Sequence, residues 1–255
     1  MSKKVQALIL TGDGINCENE TALAFSEHGC ETKIMHVQDL IDQPGLLNQF
    51  QILALPGGFS FGDEIGSGQI LALKLKYSLG VALTEFINKK KLIIGICNGF
   101  QVLVRLGLLP KPFTERQMTL SHNRQGHFIN KWVNLTVPKS NCIWTKSLQG
   151  KEIALPIRHG EGKITFAGDQ ATQHNTFQSL VNNGQIALSY TEDVNGSYQQ
   201  IAGVTDPTGC ILGLMPHPEA ATSNWLLPDG TAKKTGQAFG QHFFINAIKH
   251  CEEML

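Results

Sequence analysis

An α/β protein built on a mostly parallel sheet, with helices on both faces and a partly antiparallel extension, is the fold class that three observations predict. In the first hundred residues, short β-rich runs alternate with amphipathic stretches, the repeat of a βα-wound sheet. Runs such as Leu92-Ile93-Ile94 are apolar without polar alternation, as strands covered on both faces require. The second half changes to strand-like segments separated by Gly, Asn, Asp and Pro, the pattern of an antiparallel extension. With 255 residues, 42% of them hydrophobic, the chain can bury a sizeable core, and residues 1–255 are expected to form one domain.

The elements follow in order. Residues 5–10 are an apolar run ending at Thr11-Gly12-Asp13-Gly14 with no small-residue cleavage site behind it, so they are expected to form a first strand rather than a leader. Residues 21–28 are expected to be helical and to stop at Gly29, and residues 33–37 and 51–55 to be strands. A long amphipathic stretch, 67–88, predicts a helix whose end is marked by Lys89-Lys90-Lys91, where cations complement the helix dipole. A strand at 92–96 then leads into a further helix. Strands are expected at 132–137, 152–157, 163–166, 185–190, 201–205 and 210–215, all closing the same sheet. Residues 223–236, which contain Pro228-Asp229-Gly230, predict a long loop, and 237–251 a final helix.

Twenty-one Lys and Arg balance twenty-one Asp and Glu, so there is no broad electropositive field for phosphate backbones or anionic lipid, and nucleic acid is not an expected partner. No run approaches the roughly 18 apolar residues of a membrane span. Six cysteines lie scattered without a Cys-x-x-Cys pair, which suggests neither a zinc site nor a disulfide framework and fits a reducing cytoplasm. Most are expected to be small buried hydrophobes; only Cys97 has local features of a reactive thiol.

Cys97 stands between a strand and a helix start in Gly95-Ile96-Cys97-Asn98-Gly99. A nucleophile on such a strained turn needs neighbours without side chains, which Gly95 and Gly99 supply, and the helix N-terminus favours the anionic sulfur that attacks. The N–H of Asn98 would face a developing oxyanion. A cysteine nucleophile also needs a base with an orienting carboxylate. The strand 210–215 runs into Pro216-His217-Pro218-Glu219, where an extended backbone places His217 and Glu219 on one face. Pro56-Gly57-Gly58-Phe59, at the end of strand 51–55, could complete an oxyanion hole through the N–H of Gly58 or Phe59. No Gly-Lys-Ser/Thr ending or Walker-type loop is present for phosphate.

These motifs, together with Gly14-Ile15-Asn16-Cys17, Pro56 to Asp63, Cys97-Asn98-Gly99-Phe100-Gln101, Pro156-Ile157-Arg158-His159-Gly160-Glu161-Gly162 and Asn195-Gly196-Ser197, resemble class I glutamine amidotransferases over nearly the whole chain. Within them they resemble the glutaminase subunits of phosphoribosylformylglycinamidine synthases. The resemblance implies a flavodoxin-like amidotransferase domain in which Cys97, His217 and Glu219 release ammonia from glutamine through a γ-glutamyl thioester. It implies that Gln101 holds the substrate, with Asn123 and Phe128 in the same pocket. It also implies a synthetase subunit as partner, with or without a further small subunit, carrying the ATP, the Mg²⁺ and the formylglycinamide ribonucleotide, and no cofactor or metal in this chain. His159 is either a residue near the site or a satisfied strand-end histidine. The chain departs from the family pattern at Ala220 (commonly arginine), Gln125 (serine), and Glu64 and Gly66 (tyrosine and arginine), and 223–240 is longer than expected; these positions bear on partner contacts more than on chemistry. Two rivals share the motifs: a glutaminase of another synthetase, and a cysteine hydrolase of related fold. A non-catalytic docking module would have no need of Cys97, His217 and Glu219 together.

Overall fold

A computed structural model describes residues 4–227 and 238–254. The chain runs β1 (Gln6–Thr11), α1 (Glu18–Ser26), β2 (Glu31–His36), α2 (Val37–Asp42), β3 (Ile52–Leu55), α3 (Gln69–Asn88), β4 (Leu92–Ile96) and α4 (Asn98–Arg105). There follow β5 (Met118–His122), β6 (Ile129–Thr136), β7 (Glu152–His159), β8 (Glu161–Phe166), α5 (Gln170–Asn182), β9 (Ile186–Tyr190), β10 (Ile201–Thr205), β11 (Ile211–Leu214) and α6 (Gln241–Glu252).

Nine strands form one sheet in the order β2-β1-β3-β4-β11-β10-β9-β6-β7. From β2 to β11 every neighbour is parallel, and from β11 to β7 every neighbour is antiparallel. The parallel half is the alternating βα region; β3, β4 and β11 are buried at every residue, which explains their unbroken apolar runs. The helices form two groups, α1 against α6 and α3 against α2 and α4.

Residues 163–166 do not join this sheet as expected. They belong to β8, which pairs with β5 in a separate antiparallel two-stranded sheet. In β8 the buried residues, Gly162, Ile164 and Phe166, alternate with half-buried ones, the pattern of a strand covered on one face only. Neither β5 nor α5 was expected. Only Leu180 of α5 is buried, so the helix has little apolar stripe to read, and it starts because the Asp169 side chain accepts a hydrogen bond from the Thr172 N–H at 2.8 Å. Helix α3 begins at Gln69 rather than at 67 because Gly68 is left-handed, with φ 71°. Pro228-Asp229-Gly230, most of the expected loop 223–236 and the expected helix start at 237 lie outside the described residues. Asn224–Leu226 forms a short 3-10 turn, and α6 starts after Gly240, whose N–H donates to the Ala221 carbonyl.

Parallel strands bring their C-terminal ends to one edge. Leu55 lies level with Gly95, and Ile96 with Leu214. The segments that follow β1, β3, β4 and β11 therefore meet there, which gathers residues 14–17, 56–63, 97–101 and 215–219 in space. No helix among the described residues is long and apolar enough to cross a membrane.

Candidate active site

Cys97 occupies a backbone conformation that non-glycine residues avoid, φ 51° and ψ −104°. Such strain costs about 1–3 kcal/mol and persists only where the surroundings impose it. They do so here: the Cys97 N–H donates to the Leu214 carbonyl at 2.8 Å, and its carbonyl accepts from the N–H groups of Phe100 and Gln101. The turn is tight enough that a Cβ on Gly99 would lie 1.9 Å from the Leu55 carbonyl oxygen, and one on Gly95 2.6 Å from the Gly99 carbonyl oxygen. Both glycines thus do the steric work expected of them. The Cys97 thiol is 5% exposed and donates to the Arg158 carbonyl at 3.4 Å.

His217 and Glu219 reach each other differently from the extended segment expected. Pro218–Ala221 is a 3-10 turn, and the Ala220 N–H bends back to the His217 carbonyl. This turn folds the carboxylate under the ring, so that Nδ1–H donates to Glu219 Oε1 at 2.5 Å with both side chains almost fully buried. Among the described residues, His217 Nε2 and Glu219 Oε2 have no hydrogen-bond partner. Burial pulls the proton affinity of His217 down. The Glu219 carboxylate, followed by the charge of Cys97 and by the nearness of the Cys17 and Cys97 sulfurs, overcomes this and holds the imidazole well above its ordinary 6.5. The two sulfurs therefore both sit close to the ring.

Of the two amides expected to complete an oxyanion hole after β3, the structure leaves one. The Phe59 N–H donates to the Gly14 carbonyl at 2.7 Å and is not available, a correction to the expectation for that residue. The Gly58 N–H has no acceptor among the described residues, and its backbone, at φ 146°, is one that glycine alone adopts easily. As the first residue of α4, Asn98 also has an N–H without an intrahelical acceptor.

The Asn98 side chain, which no sequence pattern singles out, ties the loop after β3 to α4. Its Oδ1 accepts from the Ser60 N–H at 3.1 Å, while Nδ2 donates to Asp63 Oδ1 and Gln101 Oε1. Gln101 Nε2 donates in turn to the Glu161 carbonyl, so both ends of its amide are engaged within the protein. Asn123 is likewise committed: Nδ2 donates to the carbonyls of His127 and His159, and Oδ1 accepts from His159 Nδ1 and the Gly162 N–H. Both amides are thus engaged in contacts within the protein. Phe128, 47% exposed, lies beside Phe59, their ring centres 6.2 Å apart.

His159 is buried with Nε2 unpartnered. Burial, assisted by the charge of neighbouring His217, pushes its pKa down to about 4, so the ring is neutral near pH 7. Cys17 was expected to be an ordinary structural cysteine. Instead its sulfur, the His217 ring and the Glu219 carboxylate present donor atoms within 4.8 Å of one another. The motif that contains Cys17 was visible in the sequence, but its contact with a residue 200 positions away was not. An open cavity of about 850 Å³, lined in part by Pro110, Lys111, Asn141 and Asn183, contains none of these residues.

Residues 4–251 match the family model for the CobB/CobQ-like glutamine amidotransferase domain. A phosphoribosylformylglycinamidine synthase subunit PurQ from Methanococcus maripaludis is 43% identical over 244 residues, covering 90% of this chain and 87% of the relative. The subunit of that name from Dehalococcoides mccartyi is 38% identical over 257 residues, covering 98% and 99%. Among solved structures, PurLQS from Thermotoga maritima contains a chain that superposes with a TM-score of 0.75 at 30% identity, covering 98% of this chain and all of that one. A second glutamine amidotransferase from the same organism shares the fold, with a TM-score of 0.53 at 16% identity over 86% of this chain and 78% of that one.

Proposed function

Because the chain belongs to the CobB/CobQ-like glutamine amidotransferase family, we propose that it is a glutaminase subunit of a phosphoribosylformylglycinamidine synthase, releasing ammonia for a partner synthetase. The observation that carries the chemistry is the buried His217–Glu219 pair beside a thiol held on a positive-φ turn.

In this reading the proton of Cys97 has already passed to His217 Nε2, and the anionic sulfur attacks the side-chain carbonyl carbon of glutamine. Glu219, on Nδ1, fixes the tautomer and stabilises the imidazolium. The oxygen that gains negative charge is met by the N–H groups of Asn98 and Gly58. As the tetrahedral adduct collapses, His217 returns the proton to the departing nitrogen, the C–N bond breaks, and ammonia leaves a γ-glutamyl thioester on Cys97. A water molecule, giving a proton to His217, then attacks the thioester carbon; the C–S bond breaks, the sulfur recovers its proton, and glutamate is released. Free ammonia is mostly protonated in neutral water and then cannot act as a nucleophile, so the product is useful only when handed directly to an acceptor site. The synthetase would hold ATP, Mg²⁺ and formylglycinamide ribonucleotide, and this chain would need no cofactor of its own.

The test is covalent labelling with a glutamine-mimicking electrophile followed by peptide mapping, together with synthesis assays on the complex. Label on Cys97, and a Cys97→Ser complex that uses ammonia but not glutamine, are expected. Label on another cysteine, or glutamine use by Cys97→Ser, sinks the assignment. A wild-type chain that hydrolyses glutamine but cannot supply formylglycinamide ribonucleotide amidation with its cognate synthetase leaves a glutaminase serving a different acceptor.

A further inference from the structure

We propose that Cys17, His217 and Glu219 form a binding site for a thiophilic divalent cation of the zinc class, and that occupation of this site withdraws the histidine from Cys97. The inhibitory consequence rests on the glutaminase reading above; the binding does not.

Three facts point to the site. The donor atoms of the three side chains already lie within 4.8 Å of one another. Bonds of about 2.0–2.3 Å in a tetrahedral site draw ligands to roughly 3.5 Å apart, a change that small side-chain movements supply. One thiolate, one imidazole and one carboxylate are a donor set such a cation takes readily, and they leave a fourth position for water or for the Cys97 sulfur. Second, on the Nδ1 side of the ring, where an ion can reach both the imidazole and the carboxylate, Glu219 Oε2 is buried and has no partner among the described residues, on a side chain 1% exposed. Polar atoms in that position cost free energy until something satisfies them. Third, His217 and Cys17 border a space that glycine keeps open. A Cβ at Gly57 would come within 2.8 Å of His217 Cε1 and 3.3 Å of Cys17 Sγ.

Cys17 supplies the route in. It is only half-buried, and its thiol has no stronger partner than the Asn16 side-chain oxygen at 3.3 Å. Its backbone is fixed, because its N–H donates to the Gly57 carbonyl and its own carbonyl accepts from the N–H and hydroxyl of Thr21, so only the side chain has to turn. On binding, the Cys17 thiol and the His217 Nδ1–H each release a proton to solvent, and two anionic ligands then offset the charge of the ion. With the cation on Nδ1, the ring keeps its one remaining proton on Nε2 and has no free lone pair with which to accept the proton of Cys97.

The full chain is titrated with Zn²⁺ against a chromophoric chelator, and with Co²⁺ followed by its thiolate charge-transfer absorbance. One ion per chain is expected. Cys17→Ala should weaken binding by more than about 100-fold, beyond the roughly 10–100-fold that loss of an outer partner costs. Cys97→Ala should keep the site. The ratio of glutaminase activity with and without Zn²⁺ should fall in the wild type at the concentration that fills the site, and respond only at much higher concentration in Cys17→Ala. Wild-type affinity in Cys17→Ala, or binding lost in Cys97→Ala, overturns the proposal. Stoichiometric binding by a wild-type chain that hydrolyses no glutamine supports the site and removes the glutaminase reading alone.

Discussion

Two residues that do no chemistry themselves set the working state of the histidine. Gly57 faces the His217 ring so closely that an added methyl would lie 2.8 Å from Cε1, and the ring can retreat only by straining its 2.5 Å bond to Glu219. Gly57→Ala should therefore cost about 1–3 kcal/mol of stability, the usual range for overpacking. Its effect on turnover should be larger, on the order of 100-fold in kcat, because a displacement near 1 Å in a catalytic group has that consequence. Urea unfolding and steady-state glutamine hydrolysis on the same preparation measure both, and an unchanged kcat would show that ring position is not limiting. His159 acts through its neutrality. Its folded pKa is near 4 against an ordinary 6.5, so the unfolded chain binds the proton first as pH falls. The associated stability is complete above about pH 6.5 and is lost as pH drops towards 4, with a ceiling of about 3 kcal/mol. His159→Asn, which keeps a donor for Asn123 but cannot titrate, should flatten the wild-type decline in unfolding free energy across that window. A decline of equal slope in the variant would assign it to other groups.

At the scale of elements, the site is a joint between the loop after β3 and the start of α4, and Asn98 fastens it. Replacing Asn98 with Ala leaves the buried Ser60 N–H without its acceptor and frees Gln101 and Asp63 from a shared partner. A loss of about 1–3 kcal/mol is expected from the orphaned donor. Faster amide exchange should be confined to residues 58–63 and the first turn of α4; uniform acceleration across the sheet would mean that Asn98 supports the fold generally rather than this joint. The same joint shows what the sequence could and could not disclose. Strands β3, β4 and β11 were legible because burial on both faces leaves an unbroken apolar run, and the elbow because glycines flank a cysteine at a strand end. The pairing of β8 with β5 was not, since a short alternating segment is equally suited to either sheet and only the tertiary arrangement decides. His217 and Glu219 were read as partners, but through an extended backbone; the 3-10 turn that joins them depends on a bend after Pro218 that residue spacing does not encode. Cys17 and the side chain of Asn98 went unread for a related reason. Their roles depend on contacts with His217 and Ser60, 200 and 38 positions away, and such contacts carry no local pattern.

For the molecule as a whole, the reaction centre straddles the strand where the sheet changes character. Cys97 follows β4, His217 follows β11, and β11 is paired in parallel with β4 on one side and antiparallel with β10 on the other. Both proposed reacting groups therefore follow strands of the parallel half, and one of those strands, β11, is also the strand on which the antiparallel half is built. The buried apolar core is continuous across this seam, joining Leu8 and Ile52 of the parallel strands to Leu135 and Ile157 of the antiparallel ones. Chains of this length often unfold through intermediates. Continuity of the core argues instead that the two halves melt together, as expected if all 255 residues act as one cooperative domain. Calorimetric and van't Hoff enthalpies should then agree, and amide exchange in β1 to β3 should accelerate at the same temperature as in β6 and β7. Leu212→Ala, at a fully buried position in the middle of β11, supplies the sharper form of the test. It should remove about 2–5 kcal/mol, and each kcal/mol lowers Tm by roughly 2–4 °C in a chain of this size. Both halves should move by the same amount, and glutaminase activity should disappear with them. If the antiparallel half melts first while β1 to β3 stay protected, the seam is a boundary between two folding units rather than the middle of a shared core.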